Sequence, residues 1–181
     1  MYYWPERKKQ RLENYNYSYP GYYFVTFCTG LRINYFGEII DGEMILSDYG
    51  KIIHESIVKM QDIRTEIACD EYVIMPNHIH MIIIIKSIQN VGNAGMRSEE
   101  RDAQQYTKNH LSNAVQWLKA SVTKEIRQNY GDYEFSWQKS FHDVIIRNQE
   151  QLDKTREYIR LNPSKWEEDI NNQINIKPWK K

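Results

Sequence analysis

The sequence has little cysteine, no long hydrophobic run and no net charge, and each absence excludes a class of protein. Its two cysteines, Cys28 and Cys69, lack the spacing of a disulfide scaffold or a CxxC zinc motif, so we expect reduced thiols in the core. The longest apolar run, Met81 to Ile85, is far too short to span a bilayer. The chain also begins with polar residues rather than the apolar stretch of a secretory leader. We therefore expect a cytoplasmic protein without a membrane partner.

Total charge gives no support for a nucleic-acid partner, because 24 Lys and Arg balance 24 Asp and Glu. The distribution is uneven, however. Residues 1–11 contain four basic side chains against one acidic one, whereas residues 38–72 contain nine acidic side chains against three basic ones. This asymmetry is compatible with a basic groove beside an acidic back face, and equally with a solvated terminal tail.

Hydrophobic periodicity and turn residues predict an α+β fold in one domain. The predicted elements, in order, are a strand at 22–28, a hairpin of 36–40 and 43–46 around Asp41-Gly42, a helix at 48–61, strands at 66–75 and 78–86, a helix at 107–129, a strand within 137–146 and a helix at 148–161. Ser47 and Asn148 are the predicted N-caps. This order favours an antiparallel sheet with helices packed on it. We expect a single domain over 1–169 with a flexible loop at about 87–106, followed by a tail at 170–181.

The strand at 78–86 contains two histidines separated by one residue. His78 and His80 project from the same face of a strand, so both imidazoles can reach one ion. A lone histidine on an apolar strand is usually a hydrogen-bonded core residue. Two buried side by side oppose each other's protonation, whereas a shared cation satisfies both. The pattern therefore favours a metal site.

The last predicted helix carries a second pair of functional candidates. Tyr158 and Asn162 are four residues apart, so they lie on the same side of that helix. Leu152 and Ile159 define its apolar stripe, and Tyr158 is placed at the edge of this stripe, where it can face a cleft. Taken alone, the pair is more simply explained as a flanking tyrosine and a helix-ending asparagine.

Three stretches of the chain together resemble the REP-associated tyrosine transposases, a group of single-tyrosine HUH transposases. They are residues 72–84 (YVIMPNHIHMIII), 137–148 (WQKSFHDVIIRN) and 158–166 (YIRLNPSKW). The opening at 7–29 (RKKQRLENYNYSYPGYYFVTFCT) is also similar to one bacterial branch of the group. The resemblance extends from about residue 7 to 169. One departure is Val144, where many relatives have His or Arg, which puts the role of that basic group in doubt here.

The resemblance implies a ferredoxin-like sheet with the HUH pair on a central strand and the tyrosine on a neighbouring helix. It implies that His78, His80 and Asn162 hold Mg²⁺ or Mn²⁺, and that Tyr158 is the nucleophile. The implied reaction is cleavage of single-stranded DNA beside hairpins through a 5′-phosphotyrosine. A divalent ion with open positions can polarise the scissile phosphate. The released 3′-OH can later reverse the step and join strands. Either a monomer or a homodimer is compatible with this reaction.

Several basic and aromatic side chains are candidates for stacking on DNA or for contacting its phosphates. Each is equally compatible with ordinary packing or a solvated surface charge. The candidates are Lys119, Lys124, Arg127, Trp137, Phe141, His142, Arg147, Arg156 and Arg160.

Three other readings compete with a DNA nuclease. A histidine-triad hydrolase requires a third histidine two residues after His80, but position 82 is Ile. A domesticated module on the same fold would bind nucleic acid without cutting it. A structural or interaction protein could contain the two histidines incidentally. Formation of a covalent protein–DNA adduct separates the nuclease from the other two.

Overall fold

The computed structural model describes residues 16–87 and 109–175. Within these residues a four-stranded antiparallel sheet carries helices on both faces, and a two-stranded hairpin lies beside it. The strands are β1 (Gly21–Cys28), β2 (Gly37–Ile40), β3 (Glu43–Leu46), β4 (Ile67–Ile74), β5 (His78–Ile85) and β6 (His142–Ile146). The helices are α1 (Asp48–Ile63), α2 (His110–Tyr130) and α3 (Gln149–Leu161), with short 3-10 helices at Gly30–Arg32, Pro163–Glu168 and Gln173–Asn175. The α+β class with an antiparallel sheet is confirmed.

The strand order of the sheet is β4-β5-β1-β6, which makes β5 an interior strand as predicted. All neighbouring strands are antiparallel. The register of β4 on β5 shifts between Cys69 and Tyr72, which identifies a β-bulge at Asp70 and Glu71. The interior position of β5 matters for function because it places both histidines inside the sheet rather than at an edge.

The turns and caps follow the local chemistry of the sequence. Asp41 and Gly42 both have positive φ, at 52° and 79°, which closes the hairpin β2–β3 with the backbone geometry that such two-residue turns require. Ser47 caps α1 by accepting from the backbone N–H of Gly50. Asn148 caps α3 by accepting from that of Gln151. Both predicted N-caps are confirmed.

The two faces of the sheet are packed very differently. One face is covered by α1 and α2 and forms the main core, which includes Phe27, Met81 and Leu118. The opposite face contacts α3 through a small cluster of buried residues, namely Ile82, Ile146, Leu152 and Ile159. The candidate site lies on the face with this smaller cluster, beside α3.

Some expectations differ from the structure or fall outside it. The strand predicted within 137–146 is confined to β6, and Trp137 instead makes an isolated bridge with Thr29. The expected flexible loop lies outside the described residues, except for Ser87. Beyond the expected domain end at 169, Asn171 and Asn172 are buried, and the boundary itself stays a prediction. None of the helices in the described ranges has the length and apolarity needed to cross a membrane.

Candidate functional site

The two histidines of β5 are buried and point to the face that carries α3. His78 is 0% exposed and His80 is 3% exposed. Their Nε2 atoms lie 3.0 Å apart. Because alternate residues of a strand share a face, the spacing of one residue brings both imidazoles together, as the sequence predicted.

Asn77 determines the tautomer of His78. Its amide nitrogen donates to the backbone carbonyls of Arg32 and Asn171, so its Oδ1 is left to face Nδ1 of His78 at 2.9 Å. An amide oxygen only accepts, and Nδ1 must therefore carry the proton of a neutral imidazole. The Nε2 lone pair of His78 is consequently directed into the site.

Thr26 holds the ring of His80 from the neighbouring strand β1. Its hydroxyl lies 2.7 Å from Nδ1 of His80 and can donate or accept. When Thr26 donates, His80 can donate from Nε2 to His78. When Thr26 accepts, the other tautomer directs both Nε2 lone pairs to one point. In the first tautomer the two imidazoles hydrogen-bond to each other without a cation. In the second tautomer they present two nitrogen ligands to a single cation.

Burial keeps both imidazoles neutral. It lowers the pKa of His78 well below the usual value, and the neighbouring His80 and Arg32 lower it further. Burial also lowers the pKa of His80 to about 3, with a smaller effect of His142. A neutral imidazole has the free lone pair that a metal ligand requires.

Asp169 completes a cluster that sequence reasoning missed. Its Oδ2 lies 3.7 Å from Nε2 of His78, and the carboxylate side chain is only 4% exposed. Ligand atoms of His78, His80 and Asp169 all lie within 4.8 Å of one another. In the sequence, Asp169 is only the last residue of the expected domain. It is the third of three consecutive acidic residues after the YIRLNPSKW stretch, and this local pattern does not predict a contact with β5.

Side-chain hydrogen bonds to its backbone carbonyls hold the segment that carries Asp169 against the turn before β5 and the first 3-10 helix. Asn171 N–H donates to Oδ1 of Asp169 at 2.6 Å, which orients the carboxylate. Asn77 and Arg32 donate to the carbonyls of Asn171 and Ile170. Trp166 stacks on His78 with ring centroids 6.0 Å apart. These contacts place Asp169 beside the histidines.

Tyr158 extends from α3 to the same cluster. Its hydroxyl lies 3.2 Å from Nε2 of His80, and its ring makes an edge contact with Phe24 at 5.9 Å between centroids. The side chain is 45% exposed, so one side of the ring remains open to solvent. The sequence placed this tyrosine at the edge of the apolar stripe, and its position beside the histidines fits that expectation.

Asn162 lies one turn after Tyr158 and is buried. Its Oδ1 has no hydrogen-bond partner among the described residues. A buried carbonyl oxygen without a partner is costly, and a cation is one group that would satisfy it. Burial and the carboxylate of Asp169 raise the pKa of Tyr158, and the Asn162 side chain lowers it by less, so the net shift is upward. Without added positive charge the phenol is therefore a poor nucleophile.

The residues present fit a divalent cation. Two neutral imidazoles and one buried carboxylate form a mixed nitrogen and oxygen donor set, and the buried amide oxygen of Asn162 has no partner of its own among the described residues. Asn77 and Thr26 orient the imidazoles from behind, as ligand histidines normally require.

Four of the predicted DNA-contact residues lie on the opposite face of the sheet from Tyr158. Lys119, Lys124, Arg127 and Trp137 line an open groove of about 580 Å³ along α2. The amino group of Lys119 is engaged there, since it donates to the carbonyls of Gln138 and Ser140. Burial lowers the pKa of Lys119 to about 8.

The remaining predicted contacts divide into three groups. His142 lies beside the site, because Thr26 pairs with His80 on one side and with His142 on the other. Arg147 is exposed and lines a separate groove, whereas Phe141 is half-buried just before β6. Arg156 and Arg160 are engaged in ion pairs with Asp70 and Glu71 of β4. A role in DNA contact stays a prediction for all of them.

Comparison with known proteins gives a sequence relative and structural neighbours. A Haemophilus influenzae protein described as uncharacterized is 33% identical over 165 residues, which cover 90% of this chain and 91% of that protein. The structure of a REP-associated tyrosine transposase bound to a REP hairpin aligns over 81% of this chain and 68% of its own, with 19% identity and a TM-score of 0.55. A transposase candidate from Deinococcus radiodurans aligns over 83% of this chain and 95% of its own, with 13% identity and a TM-score of 0.42. No family model matches the chain.

Proposed function

Since the chain belongs to the same protein family as the Haemophilus influenzae protein and shares its fold with a REP-associated tyrosine transposase, we propose that it is a transposase-like enzyme of the single-tyrosine HUH type. It uses Mg²⁺ or Mn²⁺ to cut single-stranded DNA and forms a 5′-phosphotyrosine at Tyr158. The fold alone does not determine this activity, because function depends on the site that the fold carries.

One observation carries the proposal. The hydroxyl of Tyr158 lies 3.2 Å from Nε2 of His80, at the edge of a buried cluster of two imidazoles and a carboxylate. A phenol, two neutral imidazoles and a carboxylate at one partly open position supply a nucleophile and the ligands of a metal ion, which suits metal-assisted phosphoryl transfer to a tyrosine. A tyrosine that only filled space in the fold would have no need of two neutral histidines beside its hydroxyl.

His78, His80 and Asp169 would hold the cation, with the free oxygen of Asn162 as a further ligand. When bound, the ion would supply positive charge that polarises the scissile phosphate and offsets charge in the transition state. Asn77 and Thr26 would fix the two imidazoles during this step.

Tyr158 performs the chemical step. Its oxygen forms a bond to phosphorus as the bond from phosphorus to the 3′ oxygen breaks. The phenol releases its proton to solvent on its exposed side, and the departing 3′ oxygen takes up a proton to become a hydroxyl. The Asn162 side chain favours the phenolate, which opposes the larger effect of burial. Attack by a 3′-OH on the phosphotyrosine reverses the step and joins strands.

The proposed substrate is single-stranded DNA beside a hairpin. This choice rests on the structural neighbour, which was solved with a REP hairpin, and on the exposed edge of Tyr158. Among the proposed DNA contacts, His142 of β6 lies beside the histidine pair, because Thr26 of β1 separates it from His80. All cluster residues come from one chain, so a monomer can form the site, and a homodimer is equally compatible with it.

The proposal is tested by incubating the protein with hairpin-flanked single-stranded oligonucleotides and Mn²⁺ and resolving covalent adducts on a denaturing gel. We expect the wild type to form an adduct and Tyr158→Phe to form none, while the variant still binds the oligonucleotide. Tyr133→Phe is the matched control, because Tyr133 is 73% exposed and belongs to none of the elements that form the site. It should form the adduct normally. Binding by the wild type without an adduct would support the non-cutting module instead.

A further inference from the structure

The helix that carries Tyr158 has only a small apolar attachment to the sheet. Of the 13 residues of α3, only Leu152 and Ile159 are buried, and they pack on Ile82 and Ile146. A narrow stripe of this kind holds a helix against a sheet but restrains its rotation about the long axis only weakly. Other contacts of α3 therefore contribute to where Tyr158 points.

Arg156 provides one such contact through a bidentate ion pair with Asp70. Its Nε and Nη2 atoms donate to the two carboxylate oxygens at 2.8 and 2.7 Å. The two side chains are 28% and 16% exposed, so the pair is partly shielded from water. A planar, two-point pair restrains direction as well as distance.

Arg160 makes a second ion pair one turn later, with Glu71. Its Nη2 and Nε atoms donate to one carboxylate oxygen at 2.7 and 3.1 Å. Asp70 and Glu71 are adjacent residues at the bulge of β4, where the register on β5 shifts. Bulges redirect side chains, and here both carboxylates face α3.

The ion pairs and the tyrosine lie on opposite flanks of the apolar stripe. At 100° per residue, Arg156 and Arg160 lie roughly 50° to 90° to one side of the stripe, and Tyr158 lies about 110° to the other side. A rotation of α3 that withdraws Tyr158 from His80 therefore displaces both arginines from their partners on β4.

We propose that Asp70 and Glu71 are positioning residues that fix the rotation of α3 through Arg156 and Arg160, and so hold the hydroxyl of Tyr158 against His80 of its own chain. The effect on catalysis rests on the proposed function. The geometric claim, that the two ion pairs fix the rotation of α3, does not depend on that function. It also gives Arg156 and Arg160 a role other than direct DNA contact.

The geometry makes the reaction rate sensitive to this restraint. At the outer radius of a helix, about 5–6 Å, a rotation of about 20° moves a side chain by roughly 2 Å. Misplacement of a reacting group by about 1 Å can lower the rate about 100-fold. Loss of the ion pairs should therefore reduce the rate of attack without reducing the affinity for DNA.

The geometric part is tested in the protein without DNA. The double variant Asp70→Asn, Glu71→Gln removes both charges while keeping side-chain shape. We expect the nuclear Overhauser contact between the rings of Tyr158 and Phe24, present in the wild type, to weaken in this variant. Amides of 149–161 should exchange with solvent at least about tenfold faster, while those of α2 remain unchanged.

Glu150→Gln is the matched control, because it removes an exposed pair with Lys154 within the same helix. An unchanged ring contact and unchanged exchange in the double variant would overturn the proposal.

The catalytic consequence is tested by single-turnover adduct formation. We expect the double variant to react about 10- to 100-fold more slowly than the wild type, with oligonucleotide affinity within about twofold. Glu71→Arg should slow the reaction, and adding Arg160→Glu should restore it. Failure of the exchange and ring-contact test refutes the positioning role even if adducts form. Absence of an adduct in the wild type refutes the proposed function, while the ring-contact and exchange results still decide the geometric claim.

Discussion

Oδ2 of Asp169 lies 3.7 Å from Nε2 of His78, although the two residues belong to distant parts of the chain. Both side chains are buried, so the carboxylate has little water to solvate it. A buried carboxylate beside two neutral imidazoles gives the cluster the negative charge that favours a divalent cation. Asp169 is therefore the residue of the site whose removal should be most informative.

We expect Asp169→Asn to weaken Mn²⁺ binding by at least about tenfold, because it removes the only formal charge of the cluster while keeping its shape. Titration calorimetry with Mn²⁺ measures the effect. The control is Glu168→Gln, which removes an exposed charge from the preceding residue. Equal affinities for the wild type and Asp169→Asn would show that the carboxylate does not take part in binding.

Asn162→Leu should separate metal binding from stability. The unpartnered Oδ1 of Asn162 is costly in the metal-free protein, at about 1–3 kcal/mol, so an apolar side chain of similar size should leave the free energy of unfolding unchanged or higher. The same change should weaken Mn²⁺ binding because a ligand is lost. Urea unfolding with a chelator and with Mn²⁺ gives both quantities. A large loss of stability in the chelated protein would contradict this account of the asparagine.

Divalent metal should stabilise the folded protein. At a free Mn²⁺ concentration of about 100 times the dissociation constant, one site that exists only in the folded state adds about 2.7 kcal/mol to the free energy of unfolding. A chelator should reverse this gain, and His78→Ala should abolish it. Thermal unfolding with increasing Mn²⁺ provides the measurement. A gain of the same size in His78→Ala would place the stabilising ion elsewhere.

Acid should destabilise the metal-free protein through His80. Burial lowers its folded pKa to about 3, whereas the unfolded chain takes up the proton below about 6.5. The unfolded state therefore binds more protons between these values, and stability falls as pH falls from about 6.5 toward 3, by at most about 1.4 kcal/mol per pH unit for this group. Urea unfolding at several pH values measures the slope. His80→Asn should show a shallower slope, and an unchanged slope would mean that other groups cause the loss.

Much of the architecture could be predicted from local sequence patterns. The Asp41-Gly42 turn, the caps at Ser47 and Asn148 and the alternation along β5 each depend on interactions within a few residues. The pairing of His78 with His80 is local for the same reason, because a strand places alternate residues on one face whatever surrounds it. The interior position of β5 was also predictable, since both of its faces are apolar apart from the two histidines.

The rest depended on contacts between distant parts of the chain. Asp169 reaches the histidines because its segment is fastened to Asn77 and Arg32, and no periodic pattern in the sequence encodes that contact. The pairing of Arg156 and Arg160 with the bulge of β4 was likewise not visible, because a charged residue has the same local pattern whether it meets solvent, DNA or a carboxylate. The sequence by itself determined which strand and which helix carry the chemistry. Only the tertiary structure decided which third side chain joins the histidines and what restrains Tyr158, since side chains far apart in the chain become neighbours only when the sheet and helices pack.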